Sequence, residues 1–121
     1  MIRIDGNVTP KELVPLLTRL FAVSAEKIDL LQRSWNPRKG TPVFTVNGVY
    51  TSRGWTEWTQ GFQFGSAILQ FDATGDAAML DTGRAATVKL MATHVSHVGV
   101  HDHGFNNIST YGNLLRLLHD E

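Results

Sequence analysis

The segment His101-Asp102-His103-Gly104-Phe105 places one carboxylate between two imidazoles and then adds a glycine and an aromatic residue. Such residues make a poor hydrophobic core and a poor flexible linker. The segment falls in a predicted loop, where binding and catalytic residues are often found. The two imidazoles and the carboxylate can donate and accept hydrogen bonds there. The segment therefore predicts a functional site.

Four histidines lie close together in this part of the chain: His94, His97, His101 and His103. Imidazole is a common zinc ligand. The chain has no cysteine, however, and no His-x3-His pair falls on a predicted helix, so the metal-ligand pattern is incomplete. We therefore expect His94 and His97 to be helix caps or hydrogen-bonded loop residues, and we predict no metal or other cofactor. A His-rich metal-binding helical domain stays open as an alternative.

Trp55 and Trp58 precede a stretch that mixes aromatic residues with Gly61 and Gly65. Tryptophans are usually well buried, so core packing is the simplest interpretation of the pair, and stacking against a sugar ring is the functional alternative. Glycine inside a helix costs about 1 kcal/mol relative to alanine. Its repeated use here predicts the close approach of a second helix.

The long first helix is expected to run from about residue 10 to residue 35. Thr9-Pro10-Lys11-Glu12 has a capping residue, a proline at the first helical position and a glutamate three residues after the cap. Asn36-Pro37 ends the helix, and Pro15 is expected to kink it. Apolar residues at helical spacing, with the small Ser24 in phase, predict one buried face. They are Leu13, Leu17, Leu20, Ile28 and Leu31.

A β-hairpin is expected over residues 42–51, because two β-prone runs flank Asn47-Gly48, a pair that supplies positive φ in tight turns. A lone hairpin is marginal in water, so we expect it to pack on helices at the mouth of a pocket.

A second helix is expected over 55–74, ended by Gly75-Asp76, and a third over 77–92. The inward residues of the third helix are expected to be Leu80, Ala86, Val88 and Met91. Residues 94–109 are expected to be mostly loop, and a last helix begins at Tyr111.

Three motifs, in this order along the chain, resemble the unsaturated glucuronyl hydrolase family. They are Trp58-Thr59-Gln60-Gly61-Phe62, Thr74-Gly75-Asp76 and His101-Asp102-His103-Gly104-Phe105. The family carries Trp-Thr-Asp-Gly-Phe on a helix, a Thr-Gly-Asp turn and then His-Asp-x-Gly-Phe. The predicted helix, turn and loop agree with these contexts, and the similarity covers residues 53–118, about half of the chain.

The resemblance implies an all-α fold, the (α/α)6 toroid, in which six helical hairpins surround a pocket built from loops at one end. Residues 1–121 are expected to be a single N-terminal portion of such a domain: the first helical hairpins, with a small β-hairpin added. The remainder of the toroid would be missing from this chain. The leucine-rich last helix, which meets Asp120-Glu121 without a helix-ending signal, agrees with a fragment.

The resemblance also implies a glycoside hydrolase that removes a terminal 4,5-unsaturated uronic acid from an oligosaccharide substrate. By residue match, Asp102 is the acid/base that protonates the double bond and activates water. His101 and His103 are expected to hydrogen-bond the substrate. Trp55 and Trp58 are expected to stack against a sugar ring.

Gln60 stands where the family has a second aspartate, and its side chain cannot ionise. Glu57 lies three residues earlier, on the same expected helical face, and is the candidate catalytic residue that supplies the missing charge. Gln60 is then expected to bind a substrate hydroxyl. An ordinary glycosidase with two carboxylates stays open, as does a non-catalytic helical carbohydrate-binding or interaction module.

Composition argues against several classes of partner. The 11 basic and 11 acidic residues cancel, so nothing favours electrostatic binding to nucleic acid or to an anionic membrane. Met1-Ile2-Arg3-Ile4-Asp5 contains no apolar run long enough for a signal peptide or a membrane span. A cytoplasmic location is therefore expected, provided that Met1 is the true start.

Overall fold

The computed structural model describes residues 6–119. Met1–Asp5, on which the expected absence of a signal peptide depends, and Asp120-Glu121 lie outside the described residues. Most of the described chain is helical, and two short antiparallel strands form a sheet. This confirms the predicted helical fold with a small hairpin. Within the described chain, no helix combines the length and the apolar character that crossing a lipid bilayer requires.

Helix α1 spans Pro10–Ser34, close to the predicted range. The backbone N–H of Thr9 donates to the Glu12 carboxylate at 2.9 Å, which stabilises the start of the helix. The helix continues through Pro15. A proline here removes only the hydrogen bond to the carbonyl of Lys11, and Lys11 is exposed, so water can replace that donor.

The apolar face of α1 is buried only in its C-terminal half. Ile28 is buried and Leu31 is half-buried, as predicted. The prediction is wrong for the N-terminal half, where three leucines are exposed: Leu13, Leu17 and Leu20. Helix α2 (Thr59–Thr74) contacts α1 here mainly through Gln70, whose carboxamide donates to the Phe21 carbonyl at 3.0 Å. The turns of α1 before Phe21 border an open groove, so nothing in the described chain covers the leucines.

The β-hairpin confirms the predicted turn. Strand β1 (Thr41–Val46) pairs with β2 (Val49–Arg53), and the connecting Asn47 and Gly48 have φ values of 51° and 76°. Positive φ at both residues is what a two-residue hairpin turn requires. The hairpin packs on the helices, since β1 contacts α2 and the Tyr50 ring meets the Trp35 ring edge-on at 6.4 Å.

Helix α2 begins four residues later than predicted, because residues 54–58 form a turn in which the Glu57 N–H donates to the Gly54 carbonyl at 3.3 Å. Gly75, with a φ of 73°, ends the helix, as predicted. The Asp76 side chain then accepts from the Ala78 N–H at 3.0 Å and caps the next helix. That helix, α3, spans Ala77–Leu90.

Two of the residues expected to point inward from α3 lie at opposite extremes of exposure. Met91, directly after the helix, is fully buried, as predicted, and Leu80 and Ala86 are half-buried. Val88 is 66% exposed, so its prediction is wrong. The face of α3 that meets α2 follows Gly83 and Thr87, and each residue step turns a helix by about 100°. Val88 is therefore rotated away from the contact.

The prediction of a loop over 94–109 is also wrong. Helix α4 spans Ala92–Ser96, and a helical segment then runs without a break through α5 (His103–Asn107), a π-helical turn (Ile108–Gly112) and α6 (Asn113–Leu118). Periodic hydrophobicity misses this segment because its buried residues are polar. Asn106 and Thr110 are both fully buried.

The helices alternate in direction around α2. Gly61 lies against Asn106 and Gly65 against Ser109, and the Arg116 guanidinium pairs with the Asp72 carboxylate at 2.6 Å, so α2 and the α5–α6 segment run parallel. A Cβ placed on Gly65 would lie 2.4 Å from the Ser109 carbonyl oxygen. This confirms the predicted close helix approach. Helices α1 and α3 run antiparallel to α2, so the segments that precede α2 and α5 meet at one end of the molecule.

Candidate functional site

Three aromatic residues, each about half exposed, and one acidic residue border an open cavity where the starts of α2 and α5 meet. It has a volume of about 340 Å³ and is lined by Trp58, Phe62, Asp102 and Phe105. We call it the Asp102 cavity. The Trp58 and Phe62 rings are one helical turn apart and pack edge-on, with centroids 5.2 Å apart and an interplanar angle of 89°. The lining is therefore almost wholly apolar, and Asp102 is the one ionisable residue among the described residues that line it.

Asp102 occupies the residue immediately before α5. Its side chain is 26% exposed, and its Oδ1 lies 3.1 Å from Nε2 of His101, whose own side chain is 91% exposed. An exposed imidazole next to a half-buried carboxylate can stabilise the charge on that carboxylate or exchange a proton with it. The structure thus brings Asp102 and Trp58 together at one cavity, with His101 against Asp102.

Asn106 holds the start of α2 against the start of α5, the two helices that form this cavity. Its buried carboxamide accepts the Gly61 N–H at 2.7 Å and donates to the Glu57 carbonyl at 3.1 Å. Both partners lie at the start of α2, where the first backbone N–H groups of a helix have no partner within the helix. The Asn106 side chain on α5 therefore provides an acceptor for a backbone N–H at the start of α2, and it holds Trp58 near Asp102.

A second cluster, of one indole and three imidazoles, lies beside the cavity. The Trp55 ring stacks on the His103 ring, with centroids 5.5 Å apart and planes 17° from parallel. The His94 and His97 rings meet Trp55 edge-on at 5.3 Å and 5.0 Å. Trp55 and His103, predicted to contact substrate, thus belong to this histidine cluster, and neither lines the Asp102 cavity.

Hydrogen bonds hold the histidine cluster together. Nδ1 of His97 lies 2.8 Å from Nε2 of His103, so one of these nitrogens carries the proton and the other accepts it. Nε2 of His94 lies 2.9 Å from the Trp55 carbonyl oxygen and donates to it. The expectation that His94 and His97 are hydrogen-bonded is confirmed, although His94 lies on α4 rather than in a loop.

The electrostatics of the cluster favour a neutral His103. Burial lowers the pKa of this imidazole below its ordinary value, and the neighbouring His94 and His97 lower it further, while Asp102 acts in the opposite direction. Nδ1 of His103 is buried and has no hydrogen-bond partner in the described chain. At neutral pH the side chain is therefore uncharged, and it supports Trp55 by stacking.

The histidine cluster does not have the geometry of a metal site. Two imidazoles on a tetrahedral zinc ion, with bonds of about 2.0–2.1 Å, place their nitrogens roughly 3.3 Å apart. The 2.8 Å separation between His97 and His103 is that of a direct hydrogen bond. Over residues 6–119, no group of three or more His, Cys, Asp or Glu side chains is arranged to hold a metal ion.

Neither Gln60 nor Glu57 lines the Asp102 cavity. Gln60 lines a different cavity, between α1, α2 and α3. Glu57 precedes α2, in the turn over 54–58, so the prediction that it shares a helical face with Gln60 is wrong. It contributes its backbone carbonyl to Asn106, and its carboxylate does not line the Asp102 cavity.

Sequence reasoning missed Phe62, Phe105 and Asn106 as residues of this site. The two phenylalanines each follow a glycine, Gly61 and Gly104, and Phe62 stands four residues after Trp58. That spacing places the two side chains on one side of a helix, and it is the signal that could have identified the cavity.

The chain matches no protein-family model, no curated protein and no solved structure.

Proposed function

We propose that this chain provides the sugar-binding and acid/base part of a glycoside hydrolase that acts on oligosaccharides containing uronic acid. The observation that carries this proposal is that Asp102 lies beside Trp58, Phe62 and Phe105 around one cavity. Aromatic rings bury the apolar face of a sugar, and a carboxyl group is the usual acid or base in glycoside hydrolysis.

The reaction proposed is removal of a terminal 4,5-unsaturated uronyl residue, as the family resemblance implies. Asp102 protonates the double bond, and its carboxylate then takes a proton from the water that adds to the resulting cation. The hydrated sugar is a hemiketal at C5, whose ring opens to a ketone and leaves a hemiacetal at C1. This hemiacetal collapses to an aldehyde as the glycosidic C–O bond breaks, and the rest of the oligosaccharide leaves as an alcohol. His101, exposed and 3.1 Å from Asp102, is placed to hydrogen-bond the substrate and to support the carboxylate.

The helix directions support a partial (α/α)6 toroid as the fold of this enzyme. In such a ring the inner helices run parallel to one another, and the outer helices run back between them. Helices α2 and α5–α6 are parallel, and α1 and α3 are antiparallel to α2. The proposed site also lies at the end where α2 and α5 begin. Further helical hairpins would cover the leucines that α1 exposes.

A single carboxylate distinguishes this site from a two-carboxylate glycosidase. Asp102 is the only acidic residue among those described that line the cavity, and Gln60 lines another one. Hydration of an already activated double bond needs one group that gives and takes protons. An ordinary glycosidase needs a second carboxylate about 5–10 Å away. The single acidic residue in the lining supports a reaction that one carboxyl group can serve.

The proposal is tested by incubating the full chain with an unsaturated uronyl disaccharide and following the loss of absorbance from the double bond. We expect Asp102→Asn to lower the rate at least 100-fold, because removing a general acid/base typically costs that much. Asp81→Asn is the matched control, since Asp81 is exposed on α3 and remote from the cavity. An Asp102→Asn variant as active as Asp81→Asn would overturn the assignment.

A non-catalytic carbohydrate-binding module is the second candidate, favoured by the same scarcity of carboxylates in the cavity. It predicts saturable binding of the saturated and unsaturated sugars alike, with no turnover. Tryptophan fluorescence reports the binding, and Trp58→Phe should remove most of the change. Trp55→Phe should keep it, because Trp55 stacks on His103 outside the cavity.

A further inference from the structure

The cavity that contains Gln60 has its own chemistry. It lies between α1, α2 and α3, has a volume of about 370 Å³ and shares no residue with the Asp102 cavity. Phe64, which is buried, and the half-buried Leu31 and Leu90 provide apolar lining. We call it the glutamine cavity. Volumes near this one are at the lower end for small-molecule sites, so the cavity fits a molecule the size of one sugar.

Three carboxamides and one ammonium group also line the glutamine cavity: Gln32, Gln60, Gln63 and Lys89. The three glutamines are half-buried, and Lys89 is exposed at the edge. Each carboxamide offers two N–H donors and one oxygen acceptor. Over residues 6–119, these four side chains make no hydrogen bond or ion pair with other groups of the protein. Their donors and acceptors are therefore available to a ligand.

The charge of the lining determines whether the cavity favours an anion or a cation. Lys89 is the only charged residue among the described residues that line the cavity. An ammonium group without an acidic neighbour attracts an anion, and it does so more strongly beside an apolar surface than in open water. A carboxylate held by Lys89 leaves the carboxamides free to bind hydroxyl groups on the same molecule.

Trp35 gives the cavity a rigid aromatic side. Its indole N–H donates to the Gly40 carbonyl at 2.8 Å, and its ring packs edge-on against Tyr50. The polar edge of the indole is thus already satisfied inside the protein. What remains for a ligand is apolar ring surface, held in place before binding, which lowers the entropic cost of association.

We propose that the glutamine cavity is a binding site for a small organic carboxylate that carries several hydroxyl groups. The carboxylate pairs with Lys89, the carboxamides of Gln32, Gln60 and Gln63 bind the hydroxyls, and the carbon chain lies against Trp35. This site stands apart from the hydrolase proposal, because Asp102 is not part of it.

Isothermal titration calorimetry of the full chain with sodium D-gluconate tests the proposal. D-Glucitol, which has the hydroxyls without the carboxylate, and sodium acetate, which has the carboxylate without the hydroxyls, are the comparison ligands. We expect gluconate to bind at least tenfold more tightly than either. Equal affinity for gluconate and glucitol, or no gluconate binding at millimolar concentrations, overturns the proposal.

Lys89→Met keeps the length of the side chain and removes its charge. We expect it to weaken gluconate binding at least tenfold. Lys11→Met, the same change at an exposed residue near the start of α1, should leave binding unchanged. Far-ultraviolet circular dichroism checks that both variants are folded. If Lys89→Met binds gluconate as the unsubstituted chain does, the proposal is wrong.

Nuclear magnetic resonance locates the ligand. Gluconate should shift the side-chain amide signals of Gln32, Gln60 and Gln63 and the indole N–H signal of Trp35. Shifts centred on Trp58 would place the ligand in the Asp102 cavity and overturn this proposal, with no consequence for the hydrolase. Conversely, an Asp102→Asn variant that keeps full hydrolytic activity overturns the hydrolase proposal and leaves the gluconate experiment unaffected, so the failures of the two proposals are distinguishable.

Discussion

The carboxamide oxygen of Asn106 accepts the backbone N–H of Gly61 at 2.7 Å, in a place where neither group can reach water. The contact is close because Gly61 has no side chain; a Cβ there would lie 2.4 Å from the Cα of Asn106. The absence of a side chain at Gly61 and the carboxamide of Asn106 therefore act together. They join the start of α2 to the start of α5, and so they position the residues of both helices that line the Asp102 cavity.

Replacing Asn106 with alanine should lower the free energy of unfolding by about 2–4 kcal/mol, because the Gly61 N–H and the Glu57 carbonyl lose their partner in a buried environment. Urea unfolding followed by circular dichroism measures the change. Asn36→Ala is the matched control. Asn36 is exposed, and its side chain accepts the Arg38 N–H, so about 1 kcal/mol or less is expected. Equal losses in the two variants would contradict the importance of the buried bonds.

Replacing Gly65 with alanine should also destabilise the protein, by about 2–3 kcal/mol. The new Cβ would lie 2.4 Å from the Ser109 carbonyl oxygen, which belongs to the backbone and cannot move without shifting the helix. Gly104→Ala is the control, since no atom lies within 4 Å of a Cβ there and Gly104 is helical. Alanine favours helices, so this variant should be unchanged or more stable by up to about 1 kcal/mol. Thermal melts of both proteins test the contrast.

The ion pair between Arg116 and Asp72 should contribute little. The Nη2–Oδ2 distance is 2.6 Å, but the two side chains are 51% and 36% exposed, and water and salt screen exposed pairs. A double-mutant cycle with Arg116→Ala and Asp72→Ala should give a coupling free energy of about 0–1 kcal/mol, smaller still in 1 M salt. A coupling above about 2 kcal/mol would mean that the pair, rather than the glycine contacts, sets how α6 aligns with α2.

Much of the fold could be predicted where local sequence determines local structure. The capped start at Thr9, the positive-φ turn at Asn47-Gly48 and the end of α2 at Gly75 each depend on a few adjacent residues. The close approach at Gly65 was predicted because a glycine in a helix has an energetic cost that only packing explains. The exposure of Leu17 was not predicted, because it depends on whether another element covers α1.

The helix that starts at His103 could not be predicted from hydrophobic periodicity, because Asn106 and Thr110 take the buried positions. Their polar groups are satisfied by contacts with α2 or with the helix itself, and such contacts depend on tertiary structure. The candidate site was predicted in part. Asp102 and Trp58 do share a cavity. Gln60 does not, because two residues along a helix turn the side chain by about 200°.

The stability of the protein should fall in mild acid because of His103. Its pKa in the folded protein lies below the ordinary value of about 6.5, since the side chain is buried and next to His94 and His97. Below pH 6.5 the unfolded chain therefore binds more protons at this residue than the folded one. The stabilisation is fully present above about pH 6.5 and is lost as the pH falls toward the folded pKa, by at most about 1.4 kcal/mol per pH unit.

Urea unfolding at a series of pH values from 8 to 4.5 measures this dependence, and His103→Gln isolates it. Glutamine keeps a polar group near His97 but does not titrate, so the variant should lose stability less steeply between pH 6.5 and 5 than the unsubstituted protein. His101→Gln, a change at an imidazole that is 91% exposed, should retain the steep dependence. If His103→Gln and the unsubstituted protein have parallel profiles, a group other than His103 causes the acid sensitivity.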